Sequence, residues 1–149
     1  MTWLLDTNVI SEPTKRFPSP EVMGWVARQP VTTLYTMSLA FAEIRAGVER
    51  VSEPARRTEL AHWLDFRVRP LFGSRVIDAD ESVWTAMLQI LGRVKASNRT
   101  VPVTDLVLAA AAERHQFVVV TRNVKHFAQT GVRVLNPWLA SPEARLMRE

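Results

Sequence analysis

The sequence predicts an α/β protein, a three-layer α/β/α sandwich with a mostly parallel, twisted sheet. Three observations carry this expectation. Short apolar runs alternate with longer stretches of helical periodicity. The run Phe117-Val118-Val119-Val120 is apolar on both faces, as a strand covered by helices on either side must be. The segments between these runs are punctuated by proline, glycine and small polar residues at positions where chains turn.

Taken in order, Thr2–Leu5 reads as a short buried strand. Ser19-Pro20-Glu21 then supplies an N-cap, a proline at the first helical position and a first-turn acid, opening a helix that runs to Arg28 and is ended by Pro30. Val31–Thr36 is rich in β-branched residues and is expected to form the second strand, with Ser38 capping a helix from Leu39 to about Arg50. A further helix follows Pro54, runs to about Arg67, and is closed off by Pro70 and Gly73. After a brief strand at Arg75–Ile77, Asp80 can cap a long helix whose apolar positions Val83, Met87, Ile90, Leu91 and Val94 keep helical spacing. Ser97–Pro102 reads as a polar loop, Val103–Arg114 as an alanine-rich helix, Phe117–Val120 and Val132–Leu135 as the last strands. One domain, 1–149, is expected, with about 139–149 a loosely held tail.

Composition bounds the chemistry. A chain of 149 residues that is 47% hydrophobic can bury a full core without covalent staples. No apolar run approaches the roughly 20 residues needed to cross a bilayer, and no basic-then-apolar leader opens the chain, so a cytoplasmic protein with no membrane partner is expected. With no cysteine present, any metal must be held by oxygen or imidazole. The net charge of +4 comes mostly from arginine, which suits either phosphate binding or simple solvation of the surface. Phosphate-cradling GxxxxGK[ST] and GxGxxG loops are missing, and the histidines do not assemble into a Ser-His-Asp array. Trp3, Trp25, Trp63, Trp84 and Trp138 read as core residues.

The residues that point to function are acids. Asp6 follows the first strand, Glu43 lies one to two turns into the helix after the second, Asp105 lies in the first turn of the alanine-rich helix, and Asn123 lies just past the fourth strand. In open α/β sheets ligands bind beyond the carboxyl ends of the strands, where these residues fall. Glu43 shares its helical stripe with Leu39, Ala42 and Ala46, and Asp105 with Leu108, Ala109 and Ala112, so both are expected on the buried side. Three carboxylates converging at about 4 Å repel by roughly 4 kcal/mol per pair at an effective dielectric near 20, which rivals the roughly 5–15 kcal/mol that stabilises a domain. Protons, arginines or hard cations must offset this, and an all-oxygen set is what Mg²⁺ or Mn²⁺ prefers. Each acid has a plainer reading: Asp6 as a helix cap, Glu43 as the partner of Arg50, Asp105 as a helix-dipole residue. Thr7 and Thr121 stand beside the candidates as supporting hydroxyls, Ser38 is a cap rather than a catalyst, and His126 is the histidine nearest the constellation.

Four blocks carry a wider resemblance: Leu4-Leu5-Asp6-Thr7-Asn8-Val9-Ile10-Ser11-Glu12, Ser38 through Glu43-Ile44-Arg45-Ala46-Gly47, Asp105-Leu106-Val107-Leu108-Ala109-Ala110, and Val120-Thr121-Arg122-Asn123, followed by Asn136-Pro137-Trp138. In order and spacing they resemble PIN-domain proteins, and within them the VapC toxins of type II toxin-antitoxin systems, in particular the FitB-like branch. The resemblance implies a Mg²⁺- or Mn²⁺-dependent endoribonuclease that acts on RNA, forms a homodimer or toxin-antitoxin hetero-oligomer, and is inhibited by an antitoxin whose C-terminal segment fills the acidic groove. It implies Asp6, Glu43 and Asp105 as metal-binding carboxylates, with Asn123 at the fourth catalytic position; beside them Arg122 is the candidate to bind a substrate phosphate, or else to pair with a ligand carboxylate. Many relatives carry an aspartate at or near the place of Asn123, often where this chain has His126, so the number of metals is open. Two other readings are a PIN-like scaffold that binds RNA or protein without cutting it, and a haloacid-dehalogenase-type phosphatase suggested by Asp6-x-Asn8 after the first strand.

Overall fold

The structure is a computed structural model that describes residues 1–140 and 146–147. Its sheet is built from β1 (Trp3–Leu5), β2 (Leu34–Met37), β3 (Val76–Ile77), β4 (Val118–Val120), β5 (Val134–Leu135) and β6 (Leu146–Met147), in spatial order β3-β2-β1-β4-β5-β6. The first five strands run parallel and β6 pairs antiparallel with β5. The chain grows the sheet from β1 toward β2 and β3, then crosses back to lay β4 on the other side of β1. The order therefore reverses between β1 and β4, where a parallel sheet opens a crevice at its carboxyl edge.

Strand alternation divides the core into two layers. Leu4 and Val119 face one side and pack with Val83, Ile90 and Val94 of α6 (Glu81–Ala96) and with α7 (Val103–His115). Leu5, Val118 and Val120 face the other, against α1 (Thr7–Ser11), α2 (Pro20–Arg28), α3 (Ser38–Glu49) and the segment through α4 (Pro54–Trp63) and α5 (Arg69–Phe72). Helix α7 is buried continuously from Asp105 to Ala112, and its four consecutive alanines let it lie close to α6 while the sheet covers its other face. A helix apolar on every side is stable only in such a position, and this one carries Asp105 into the interior at its first turn.

The caps expected at Ser19 and Asp80 form: each side chain accepts a hydrogen bond from the N–H three residues on, Val22 at 3.4 Å and Val83 at 3.0 Å. Other expectations are corrected. Val31–Thr33 is a single 3-10 turn rather than strand, because the Pro30 carbonyl accepts both the Thr33 N–H and its hydroxyl, at 2.9 and 2.7 Å; β2 begins only at Leu34. Ser38 is the first helical residue, not a side-chain cap; Met37 occupies the cap position. Pro70 does not end its helix. A π-turn at Leu64–Val68 widens the backbone ahead of it, the proline sits in the first turn of α5, and Gly73 ends the element. Helix α8 (Val124–Phe127) and β6 are too short to show periodicity. Of the expected loose tail, residues 141–145 and 148–149 lie outside the described residues, and Leu146–Met147 form β6. Of the five tryptophans Trp25 is buried, Trp3, Trp63 and Trp138 pack partly against the core, and Trp84 is 46% exposed, on the outer side of α6.

Gly73 adopts φ 53°, ψ −117°, a conformation open essentially to glycine. Gly73→Ala should lower unfolding free energy by about 1–3 kcal/mol in urea titrations; an unchanged midpoint and slope would show that the turn relaxes at no cost.

Candidate active site

Asp6 leaves β1 at the switch point, its N–H donating to the Val120 carbonyl of β4 at 3.0 Å. Its backbone is extended, so its side chain caps α1: Oδ1 accepts the Thr7 N–H at 2.7 Å. Oδ2 accepts the Thr121 hydroxyl at 2.7 Å and the Asn8 amide at 3.4 Å. Thr121 is fully buried and also accepts the Asn123 N–H at 3.0 Å and the Asn8 amide at 3.2 Å. The strand β4 thus fixes the Asp6 carboxylate through one hydroxyl, which also turns the chain toward Asn123. From the sequence Asn8 entered only through Asp6-x-Asn8 and the first resemblance block, not as a support of the Asp6 carboxylate; its place two residues beyond a capping aspartate was the available clue to that role.

Thr7 ties the second acid to the first. While its N–H holds Asp6, its hydroxyl donates to Glu43 Oε1 at 3.1 Å. Glu43 is exposed rather than on the buried side, because the stripe it shares with exposed Ala42 runs along the rim of the crevice and not under the sheet. Its carboxyl head nonetheless leans into a narrow cleft lined by Asp6, Thr7, Leu39, Thr104 and Leu108. Among the described residues its hydrogen bond comes from Thr7 and not from Arg50, and Arg45 is bound to Asp65.

Asp105 is 8% exposed, as is Asp6. Its Oδ2 lies 2.5 Å from Nδ1 of His126 on α8. Asn123 precedes α8 with its carbonyl accepting the His126 N–H at 3.0 Å, and the residue is exposed. Arg122 points elsewhere, its guanidinium 5.4 Å from the centre of the Trp138 ring. The structure therefore places Asp6, Thr7, Glu43 and Thr121 in one bonded network, and Asp105 with His126 beside it.

Electrostatics register this proximity. The Asp6 carboxyl is raised above its ordinary value, chiefly by burial and further by the Asp105 charge, against the lowering hydrogen bonds from Thr121 and Thr7. Glu43 is raised as well, first by the partial desolvation of its head and then by the Asp6 and Asp105 charges, with Thr7 opposing. The Asp105 charge reaches both Asp6 and Glu43, but the three acids do not close into a chelate: among the described residues no three His, Cys, Asp or Glu side chains already stand at metal-binding spacing. The close convergence expected from the sequence is corrected on this point, and the reason is visible. Asp105 is drawn toward His126 and Glu43 toward Thr7, each toward a donor that partly relieves its charge. The donor set still fits a hard divalent cation, being all carboxylate and amide oxygen. An ionised carboxylate has about four lone-pair positions, and Asp6 uses three of them on protein donors.

A family profile described as PIN domain matches residues 3–132, a span that includes Asp6, Glu43, Asp105 and Asn123. The chain belongs to the PIN-domain family. It is 36% identical over 137 residues to the plasmid stability protein StbB of Pseudomonas syringae pv. tomato, covering 92% of this chain and 99% of that one. It is 33% identical over 135 residues to the VapC ribonuclease Y4jK of Sinorhizobium fredii, covering 91% and 96%. The crystal structure of FitAcB from Neisseria gonorrhoeae superposes with a TM-score of 0.89 at 33% identity, covering 92% of this chain and 99% of that one. Within the PIN-domain family the chain groups with these VapC and FitB proteins. The haloacid-dehalogenase-type reading is left without support.

For a carboxyl whose pKa is raised by folding, the stabilising contribution is present below the unfolded-state value and is lost as pH rises through the folded-state value. Metal-free protein should therefore lose stability from Asp6 and Glu43 as pH climbs out of the acid range. Asp6→Asn, which removes the charge, should raise the metal-free melting temperature at pH 7 by roughly 2–4 °C, the shift about 1 kcal/mol makes in a domain of this size. Calorimetric melts at pH 5 and pH 7 check this, and a variant that melts lower at pH 7 would show the carboxylate to be stabilising as an anion.

Proposed function

We propose that this chain is a Mg²⁺- or Mn²⁺-dependent endoribonuclease, the toxin component of a type II toxin-antitoxin system. The observation that supports it most is the Thr7 bridge: one residue holds the Asp6 and Glu43 carboxylates together at the switch point of the sheet, where the Asp105 charge reaches both. Asp6, Glu43 and Asp105 are the residues that would hold the cation. Bound there, a divalent cation polarises a phosphoryl oxygen and lowers the pKa of a water.

The protein's own contribution is position. Thr121 and the Thr7 N–H fix both oxygens of Asp6, so this carboxylate meets the substrate in one orientation. The Asn123 amide, exposed beside it, holds the attacking water in line with the scissile phosphorus, and Thr7 supports Glu43 from behind. Arg122 engages a phosphate flanking the cut. His126 holds the Asp105 carboxylate beside the Asp6–Thr7–Glu43 network, from which it would serve as a ligand to the cation.

The relatives support a protein partner. FitAcB of Neisseria gonorrhoeae and a DNA-bound FitAB are among the solved structures this chain resembles, at 33% and 31% identity, and a small antitoxin encoded beside this chain is its proposed partner, the assembly being a homodimer or a toxin-antitoxin hetero-oligomer. Among the described residues no helix is long and apolar enough to cross a membrane, and the proposed setting is the cytoplasm. A non-cutting scaffold is favoured by one specific feature, the amide and imidazole at Asn123 and His126 in place of a fourth acid.

Cleavage of single-stranded RNA separates these readings. The purified chain should cut in Mg²⁺ or Mn²⁺ and stop in excess EDTA, and Asp6→Asn and Asp105→Asn should each lower the rate by at least about a hundredfold, as loss of a charge-stabilising group does. Full activity in both variants, with their folds verified by circular dichroism, would exclude the mechanism; no cleavage by the unaltered protein would favour the scaffold.

A further inference from the structure

Beside the acids the carboxyl edge carries a group of the opposite sign, of which the proposed cleavage uses only Arg122. Trp138, three residues past β5, packs partly into the core through its ring and is oriented by its N–H donating to Asn136 Oδ1 at 3.0 Å. Two cations lie over that ring: Arg122 with its guanidinium carbon 5.4 Å from the centroid and Lys15 with its ammonium 6.0 Å away. Beneath them is Glu12, only 2% exposed although it is ionisable. Its Oε1 accepts the Ser19 N–H at 2.8 Å, closing the loop that carries Lys15, and its Oε2 pairs with Lys15 Nζ at 2.7 Å. Burial alone would raise the Glu12 carboxyl, but Lys15, the Ser19 N–H and the charge of Arg122 outweigh it, and the group is held below its ordinary value.

A buried anion under two exposed cations orients them without cancelling them. Lys15 and Arg122 sum to two positive charges against the single charge of Glu12, leaving a surplus of one at the rim. Cations lying on an aromatic face lose little side-chain freedom when they bind a further anion, because the ring already limits it. The backbone of Arg122 is fixed from the other side, its N–H donating to Asn8 Oδ1 at 3.4 Å, and Asn8 is bonded to Asp6. The cation pair therefore sits at a set offset from the carboxylates.

We propose that Lys15 and Arg122, held over Trp138 and anchored by Glu12, form a preorganised subsite for a backbone phosphodiester of the RNA, displaced from the phosphate that is cut. This rests on the nuclease reading and adds to it the residues that seat the strand: Lys15 and Arg122 as phosphate ligands, Trp138 and Glu12 as positioning residues.

The test is binding of a fluorescein-labelled, mixed-sequence single-stranded RNA in EDTA, followed by anisotropy across a salt series, with Mg²⁺-supported cleavage read in parallel. Each cation that leaves a single strand's phosphate lowers the salt slope by about 0.7, equivalent to about fivefold in affinity at 0.1 M salt. Lys15→Gln and Arg122→Gln should each produce that change, and Arg114→Gln, at the far end of α7 from Asp105, should not. Trp138→Leu should raise KM while kcat holds, with Trp138→Phe restoring KM. If the protein cuts RNA but Lys15→Gln and Arg122→Gln keep the unaltered slope and affinity, the subsite is overturned and the nuclease reading stands. If the unaltered protein neither binds nor cuts RNA, both fall.

Discussion

The structure turns on a collection of negative charge, only partly relieved by neighbouring donors, at the point where the strand order reverses. Asp6 is buried there as an anion-forming group against the tendency of buried carboxylates to neutralise, and the fold spends three hydrogen bonds, from Thr7, Thr121 and Asn8, in keeping it oriented. Those donors favour the ionised form, yet burial and the neighbouring Asp105 charge still leave its carboxyl raised. A site in which hydrogen bonds and repulsion pull in opposite directions is under tension without a cation. That tension links the fold to the proposed chemistry.

The rest of the architecture can be understood as what holds this arrangement in place. Strand β4 is buried at all three residues and β1 at Leu4 and Leu5, which holds the residues that follow them in place. Helix α7 is apolar on every side and delivers Asp105 to the interior; helix α3 brings Glu43 only to the rim. The difference in exposure assigns the acids different freedom: Asp6 is locked, Glu43 is tethered by one hydroxyl, and Asp105 is shared with His126. On the other flank Glu12 and Trp138 hold Lys15 and Arg122, so the same edge carries a fixed anionic centre and a fixed cationic border.

Much of this was legible in the sequence. Fully apolar Phe117–Val120, the caps at Ser19 and Asp80 and the periodicity of Val83, Ile90 and Val94 each encode their element locally, and each is found within a residue or two. Asp6, Asp105, Thr7 and Thr121 were readable because strand ends and helix starts fix where a side chain emerges. What escaped depends on tertiary detail. Whether Glu43 lies under or beside the sheet depends on how α3 is rotated about its axis, a matter of a few tens of degrees that Leu39, Ala42 and Ala46 do not determine. The π-turn before Pro70 reflects accommodation of a proline by packing around Leu64 and Val68. The pairing of His126 with Asp105 and the reach of Asn8 to Thr121 join residues distant in sequence, and the burial of Glu12 depends on how the chain packs around it, so no periodicity reveals them.

The account's central claim is that the Asp6, Glu43 and Asp105 carboxylates act together as the seat of a divalent cation. Isothermal titration of the metal-free protein with Mn²⁺ measures this directly. Saturable binding that disappears in Glu43→Gln and releases protons on binding near the raised carboxyl pKa values is the predicted result; heats that match buffer dilution, or binding that survives Glu43→Gln and Asp6→Asn alike, would contradict it.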